Sequence, residues 1–233
     1  MKPFPTTKRG FTLMETVIAI GVLAVLLTAF MAVFGPATAG IRKAINAQEA
    51  DRLVSSYEEE LGTLRSSETS KYTTAFDKAF VWIRDSAKTP VMIYQYRADP
   101  SKAPLADGAM APYIPASGSP GTAGKDYVLR TGIRLRTDQL FVKDMAAVEG
   151  RVFTVVDTQL VYNGGQLIKG KAATIVDPVT GTAATKSDDL QSAVIAFSAE
   201  FYVLPSTSPA YLQSFDPSIL TNPVFVRNLS ARR

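Results

Sequence analysis

The chain has 233 residues and contains neither cysteine nor histidine. The absence of cysteine excludes disulfides, thiol nucleophiles and thiolate metal ligands. The absence of histidine excludes Ser-His-Asp and Cys-His catalysis and histidine-ligated zinc, and removes the commonest general base at neutral pH. An enzyme of this composition would depend on carboxylates, Lys, Tyr or a Ser-Lys pair alone. We expect no enzymatic activity, no cofactor and no metal site built from Cys or His, and the composition favours a structural or binding protein.

Charge is nearly balanced outside the N-terminus. The whole chain has 25 Lys+Arg and 21 Asp+Glu, a net charge of +4. Residues 1–10 contain three basic and no acidic side chains, which leaves 22 basic against 21 acidic in the remainder. Because nucleic-acid binding depends on many contacts from Lys and Arg to phosphates, a near-neutral body predicts no nucleic-acid partner.

One long apolar run follows the basic N-terminus. Residues 11–34 contain a single charge, Glu15. As a helix they would extend roughly 36 Å at about 1.5 Å per residue, enough to cross a bilayer. The basic decapeptide predicts a cytoplasmic N-terminus, with the following domain outside the cytoplasm. Conventional signal-peptide cleavage near residues 37–39 is disfavoured, because an ordinary apolar region of such peptides has only about 7–15 residues.

The junction before this run carries a specific motif. Residues 8–15 read KRGFTLME, which resembles the prepilin leader of type IV pilins and type II secretion pseudopilins. The resemblance implies that a prepilin peptidase cuts after Gly10 and methylates the new N-terminus at Phe11. It also implies that Glu15 pairs with the N-terminal amine of a neighbouring subunit in a filament. Such pairing would offset the desolvation of two buried charges.

The resemblance further implies a structural subunit with defined partners: the prepilin peptidase, an inner-membrane assembly platform with its ATPase, and sibling pilin or pseudopilin subunits. The expected location is the inner membrane, with the C-terminal domain in the periplasm and the chain in a filament after assembly. Many major pilins close a C-terminal loop with a disulfide, so the lack of cysteine favours a minor pilin or a pseudopilin. The layout is also similar to the cassette-type prepilin-like proteins known as Verru_Chthon.

Two alternatives remain open from the residues. Glu15 could be a carboxylate tolerated near the membrane boundary rather than an assembly residue. The whole chain could be a signal-anchored extracytoplasmic binding domain that is never processed at Gly10. Secretion, DNA uptake, adhesion and motility are not separated by any motif.

Residues 36–66 are predicted to continue the helix as an amphipathic segment. An apolar stripe with spacings of three and four is typical of a face that packs on a core, and it consists of Ala47, Ala50, Leu53, Val54, Tyr57, Leu61 and Leu64. Ile41 and Ile45 lie on nearly the opposite face, where we expect them to contact neighbouring subunits. Gly35-Pro36 predicts either a kink or the end of the spanning helix. Residues 58–60, three glutamates, are expected to be solvated.

Residues 67–233 are predicted to form one globular antiparallel-sheet domain. A short helix is expected at 76–84, with Trp82 as a core or interface anchor. Strand patterns occupy 90–96, 127–136, 151–162, 166–169, 192–204 and 223–228, the last at an edge because it begins with proline. The sequence therefore predicts an α+β, pilin-like fold made of a leader (1–10), a transmembrane or filament-core helix (11–35), its amphipathic continuation (36–66) and the sheet domain.

Acidic residues in one turn-rich segment raise the question of calcium. Asp188 and Asp189, with Asp177 upstream, could supply oxygen ligands. Their spacing matches no defined calcium loop, and adjacent acids in a turn are usually solvated. Calcium binding there is left open.

Overall fold

The computed structural model of the chain describes residues 12–116 and 120–233. These form two compact units, one ending at Ile45 and the other comprising Asn46–Arg233. The structure is α+β, with a long apolar N-terminal helix and an antiparallel sheet, which confirms the predicted fold class at that level. The helices are α1 (Leu13–Leu61), α2 (Ala75–Asp85), α3 (Gln139–Asp144) and α4 (Pro209–Ser214).

The strands are β1 (Val91–Ala98), β2 (Val128–Leu135), β3 (Val148–Asn163), β4 (Gln166–Lys169), β5 (Ile175–Val176), β6 (Ala183–Ala184), β7 (Val194–Val203) and β8 (Phe225–Arg232). The main sheet has six of them in the order β2-β1-β3-β7-β8, with β4 paired to β3 off this path, and every pairing is antiparallel. A separate two-stranded sheet joins β5 and β6. The last strand, β8, is at an edge of the sheet, as the proline at the start of the predicted strand 223–228 indicated.

Both faces of the sheet are covered at β1. On one face, Val91 and Ile93 of β1 pack in a core that includes the C-terminal turns of α1 and most of α2. On the other face, Met92 and Tyr94 pack in a second core with α3 and α4. Because alternate residues of a strand point to opposite faces, this double cover explains why β1 is buried almost continuously.

Helix α1 does not end at Pro36, which lies inside it. It ends at Leu61, immediately before Gly62. Its buried residues begin at Ala50 and include Tyr57. The predicted core-facing stripe is therefore confirmed from Ala50 to Leu61, whereas Ala47 is only partly buried and Leu64 lies beyond the end of the helix. Trp82 on α2 is also buried as expected.

Glycine determines the sheet geometry at two places. The turn between β3 and β4 contains Gly164 and Gly165, both with positive φ, as the Asn-Gly-Gly sequence predicted. Gly132 on β2 lies directly opposite Tyr94, and a Cβ at this position would be 2.5 Å from the Tyr94 ring. Only glycine leaves room for this ring.

Two short helices were not predicted. Helix α3 begins after Asp138, whose side chain accepts a hydrogen bond from the backbone N–H of Leu140. Helix α4 begins after Ser208, which accepts from the N–H of Tyr211. Each helix has six residues, too few for the apolar periodicity that identifies longer helices.

Candidate membrane and assembly segment

The N-terminal part of α1 is one continuous apolar surface. Residues 13–34 rise about 33 Å at about 1.5 Å per residue. Every residue of this segment is exposed, and an 18-residue window reaches a mean hydropathy of 2.8. The helix is therefore long and apolar enough to cross a membrane.

Glu15 lies at the start of this helix, where it closes a capping box with Thr12. The backbone N–H of Thr12 donates to Glu15 Oε2 at 2.8 Å, and the Thr12 hydroxyl donates to the same oxygen at 2.9 Å. In return, the N–H of Glu15 donates to Thr12 Oγ1 at 3.3 Å. This reciprocal pattern satisfies free backbone donors at the helix start. Residues 12–15, TLME, match the capping-box pattern Ser/Thr-x-x-Glu before an apolar run, so the sequence carries a signal for this local role of Glu15.

The other two residues of the predicted processing motif, Gly10 and Phe11, lie outside the described residues. Glu15 Oε1 has no hydrogen-bond partner among residues 12–116 and 120–233. The Glu15 carboxylate is thus half engaged by its own helix. Within the described residues, its remaining oxygen is available to accept a further donor.

The C-terminal turns of α1 are joined to the sheet by a buried polar pair that sequence reasoning missed. The Tyr57 hydroxyl donates to Asp157 Oδ2 on the central strand β3 at 2.5 Å. Both residues are almost fully buried, and burial raises the pKa of Asp157 to about 7. Ser86 completes the junction, because its hydroxyl donates to the Asp157 carbonyl and accepts from the Asp157 N–H, each at 2.9 Å.

A buried ion cluster joins the end of α1 to α2. Lys78 is fully buried, and its ammonium donates to Glu60 at 2.6 Å and to Glu68 at 2.9 Å. Arg65 also pairs with Glu60. The expectation that residues 58–60 are all solvated is therefore wrong for Glu60, which is only 6% exposed. Glu60 can be buried because the tertiary fold places two cations, Lys78 and Arg65, against its carboxylate.

Ile41 and Ile45 are exposed, at 60% and 49%. Their exposure agrees with their predicted separation from the apolar stripe, whose buried residues begin at Ala50. No neighbouring subunit is present in the structure, so their contact with sibling subunits stays a prediction.

The acidic residues considered for calcium have local structural partners. Asp177 is buried and accepts hydrogen bonds from the N–H groups of Val179 and Gln191 and from the Thr180 hydroxyl. Burial opposes ionisation, but these donors hold the pKa of Asp177 below its ordinary value.

Asp189 accepts from both the N–H and the hydroxyl of Thr185, whereas Asp188 is exposed. Within the part of the chain that the structure describes, no group of three or more His, Cys, Asp or Glu residues is arranged to hold a metal ion.

Comparison of the chain with protein-family models, with curated proteins and with solved structures returns no match. Function is therefore inferred from the residues and the geometry of this chain: an exposed apolar helix, a half-engaged Glu15 at its start, and a sheet domain fixed to the C-terminal turns of the same helix.

Proposed function

We propose that this chain is a structural subunit of a type IV pilin-like filament, either a minor pilin or a pseudopilin. It is processed after Gly10 and assembles through the apolar segment 11–35. The observation that carries this proposal is the exposed apolar surface of residues 13–34. At its start, Glu15 has one carboxylate oxygen without a partner in the part of the chain that the structure describes.

The apolar surface requires a non-aqueous environment. Lipid provides one before assembly, and the apolar helices of sibling subunits provide another in a filament. Because lipid is as apolar as the helix, close packing and polar pairing between helices decide whether the chain leaves the bilayer. A filament built in this way is held together by the helices, while the sheet domains face outward.

Glu15 adds a specific electrostatic contribution to the pairing of subunits. A carboxylate at the centre of a bilayer costs about 2.5–3.5 kcal/mol on insertion scales, and less near an end. The hydrogen bonds from Thr12 lower this cost in a single chain. Cleavage after Gly10 would create an amine at Phe11, and the amine of a neighbouring subunit would supply a cation to the free oxygen of Glu15.

The same proposal sets the topology and the partners. The basic residues 1–10 stay in the cytoplasm and the sheet domain lies in the periplasm. A prepilin peptidase, an inner-membrane platform with its ATPase, and sibling subunits then act on the chain in turn.

The decisive experiment is N-terminal sequencing and intact-mass measurement of the protein from membranes, with and without a prepilin peptidase. We expect a chain that starts at methylated Phe11 only when the peptidase is present. A Gly10→Val variant should remain uncut. Its matched control is Gly21→Val, where a Cβ meets nothing within 4 Å, and this variant should be cut normally.

An anchored binding domain gives a different result. That protein would have the same N-terminus with and without the peptidase, and Gly10→Val would change nothing. Either observation would exclude the filament proposal.

A further inference from the structure

A polar cleft of about 480 Å³ opens on the sheet domain, between the segment after α1, the end of β2 and helix α3. Its volume is within the usual range of small-molecule pockets, about 300–1,000 Å³. All of its lining residues belong to the unit Asn46–Arg233. It is independent of the apolar segment and of the proposed assembly.

The charges in the cleft balance. Four basic and four acidic residues line it: Arg65, Lys71, Arg134 and Lys143, and Glu60, Glu68, Asp107 and Asp138. A ligand with a net charge would disturb this balance, whereas a ligand with one charge of each sign would keep it. The orientation of such a ligand then depends on which of these charges are already paired with other groups of the protein.

Most of the acids are engaged by protein donors. Glu60 accepts from Lys78 and Arg65. Asp107 pairs with Arg134 and accepts from the N–H of Ala109. Asp138 also pairs with Arg134 and accepts from the N–H of Leu140. These carboxylates therefore have little capacity left for a ligand.

Glu68 is different, because only one of its carboxylate oxygens is engaged. Its Oε2 accepts from Lys78 at 2.9 Å and from the N–H of Arg65 at 3.0 Å. Its Oε1 has no partner in the described part of the chain. Glu68 thus offers one free anionic acceptor at the cleft wall.

The hydrogen-bond donors of the cleft that remain for a ligand belong to cationic side chains. Lys71 and Lys143 are exposed and form no ion pair with any residue in 12–116 or 120–233. Arg134 is 94% buried, with a side chain only 6% exposed. Its Nε donates to Asp144 at 2.8 Å and its Nη1 pairs with Asp107 and Asp138, while its Nη2 has no partner among the same residues. The charge of Arg134 is therefore already compensated, and Nη2 is the donor group that remains for a ligand. A buried guanidinium that keeps one nitrogen without a hydrogen-bond partner is a fixed, preorganised donor for a carboxylate.

Apolar and aromatic residues complete the wall. Ile133, Leu135 and Leu140 line the cleft together with Tyr72 and Trp82. The Trp82 N–H donates to the Tyr72 hydroxyl at 3.2 Å, which leaves the Tyr72 proton free to donate. The cleft can therefore cover the uncharged part of a small ligand.

We infer that this cleft binds a small zwitterion, an α-amino acid or a short peptide, with its carboxylate at Lys71, Lys143 and Arg134 and its ammonium at Glu68. The recognition uses Glu68 Oε1, the two lysines that form no ion pair within the described residues, and the remaining Nη2 group of Arg134, and it preserves the neutrality of the cleft. The free amino acid and the short peptide share this chemistry, and the size of the cleft favours the peptide.

The test is isothermal titration calorimetry on the full-length chain in detergent micelles. The probes are trialanine, N-acetyl-trialanine, trialanine amide and alanine. Trialanine should bind, and each blocked peptide should bind at least about tenfold more weakly, because each lacks one charge-assisted contact. Binding of alanine at least as tight as that of trialanine would assign the site to a free amino acid. Weaker binding of alanine would assign it to a peptide.

Location is tested by fluorescence and by paired variants. Trp82 is the only tryptophan of the chain and lines the cleft, so its emission should change on binding. The double variant Lys71→Ala/Lys143→Ala should weaken trialanine binding at least about tenfold. The matched control is Lys125→Ala/Lys171→Ala, which removes the same charge from exposed lysines outside the cleft, and it should bind as the parent does.

Three results would overturn the inference. One is the absence of binding heat for both trialanine and alanine. Another is equal binding of the blocked and unblocked peptides. The third is equal weakening by the two double-lysine variants, which would show only a general effect of charge.

Discussion

Tyr57 and Asp157 form a buried hydrogen bond that joins the long helix to the central strand of the sheet. The donor–acceptor distance is 2.5 Å, and Asp157 Oδ1 has no partner among the described residues. Burial is the first cause of the raised pKa of Asp157, and the hydrogen bond from Tyr57 opposes it. The result is a carboxyl group that is protonated well above its ordinary pKa.

Replacement of Asp157 by Asn should remove a pH dependence of stability. An acid whose pKa is raised on folding destabilises the folded state as the pH rises from its unfolded pKa of about 3.9. The loss should accumulate up to about pH 7, the folded pKa, and then level off. The Asn side chain of Asp157→Asn cannot ionise. The free energy of unfolding of this variant should therefore exceed that of the parent by up to about 4 kcal/mol at pH 8 and by little at pH 4.

Chemical denaturation of both proteins at several pH values measures this difference. Asp188→Asn is the control, because Asp188 is exposed, and its stability should follow that of the parent. A parent whose stability does not fall between pH 4 and pH 7 relative to Asp157→Asn would contradict the prediction.

Lys78→Met should destabilise the sheet domain strongly. Lys78 is fully buried, and its removal leaves Glu60 and Glu68 with fewer cations. Breaking a buried ion pair by removing one partner costs about 3–5 kcal/mol. Lys125→Met, at an exposed lysine, should stay within about 0.5 kcal/mol of the parent. Urea denaturation compares the two, and similar stabilities would show that the ion cluster contributes nothing net.

The apolar elements of the fold could be predicted from sequence, but these polar contacts could not. The stripe containing Leu53 and Tyr57 has helical spacing, and the strand around Phe197 has strand-like alternation, so both follow from local pattern. Hydropathy places Lys78, Glu60 and Asp157 on the surface. Their burial depends on partners brought together by the tertiary fold, which no local pattern encodes.

The cleft was missed for the same reason. Glu68 is far in sequence from Arg134 and Lys143, and the three residues belong to different elements. Each resembles an ordinary surface charge in its own segment. Helix α3, which supplies Lys143, has only six residues and gives no periodic signal.

Replacing Ile41 and Ile45 by Ser should separate assembly from folding. Both side chains are exposed, and exposed substitutions usually change stability by no more than about 0.5 kcal/mol. The double variant should therefore unfold like the parent but enter filaments less well, as measured by its recovery in sheared filament fractions.

Leu53→Ala is the contrasting control, because Leu53 is buried against the sheet. It should lose about 2–5 kcal/mol of stability. Loss of folding in the Ile41→Ser/Ile45→Ser variant, or its undiminished recovery in filaments, would assign these isoleucines no separate role in assembly.

Glu15 and Thr12 offer the sharpest separation of a helix cap from an assembly contact. Gln is as suitable as Glu at the third position of a capping box, so Glu15→Gln should keep the helix start and membrane insertion while removing the charge. Thr12→Ala keeps the charge and should cost about 1 kcal/mol as a lost cap. We expect Glu15→Gln to be processed normally yet lost from filaments, and Thr12→Ala to assemble.

Immunoblots of membrane and sheared filament fractions from strains carrying the peptidase measure both variants. If Glu15→Gln assembles as well as the parent while Thr12→Ala does not, the carboxylate acts only as a cap for its own helix. In that case the charge on Glu15 has no part in subunit pairing. If only Glu15→Gln fails, its free oxygen requires a cation from another subunit, because the cap itself has been preserved.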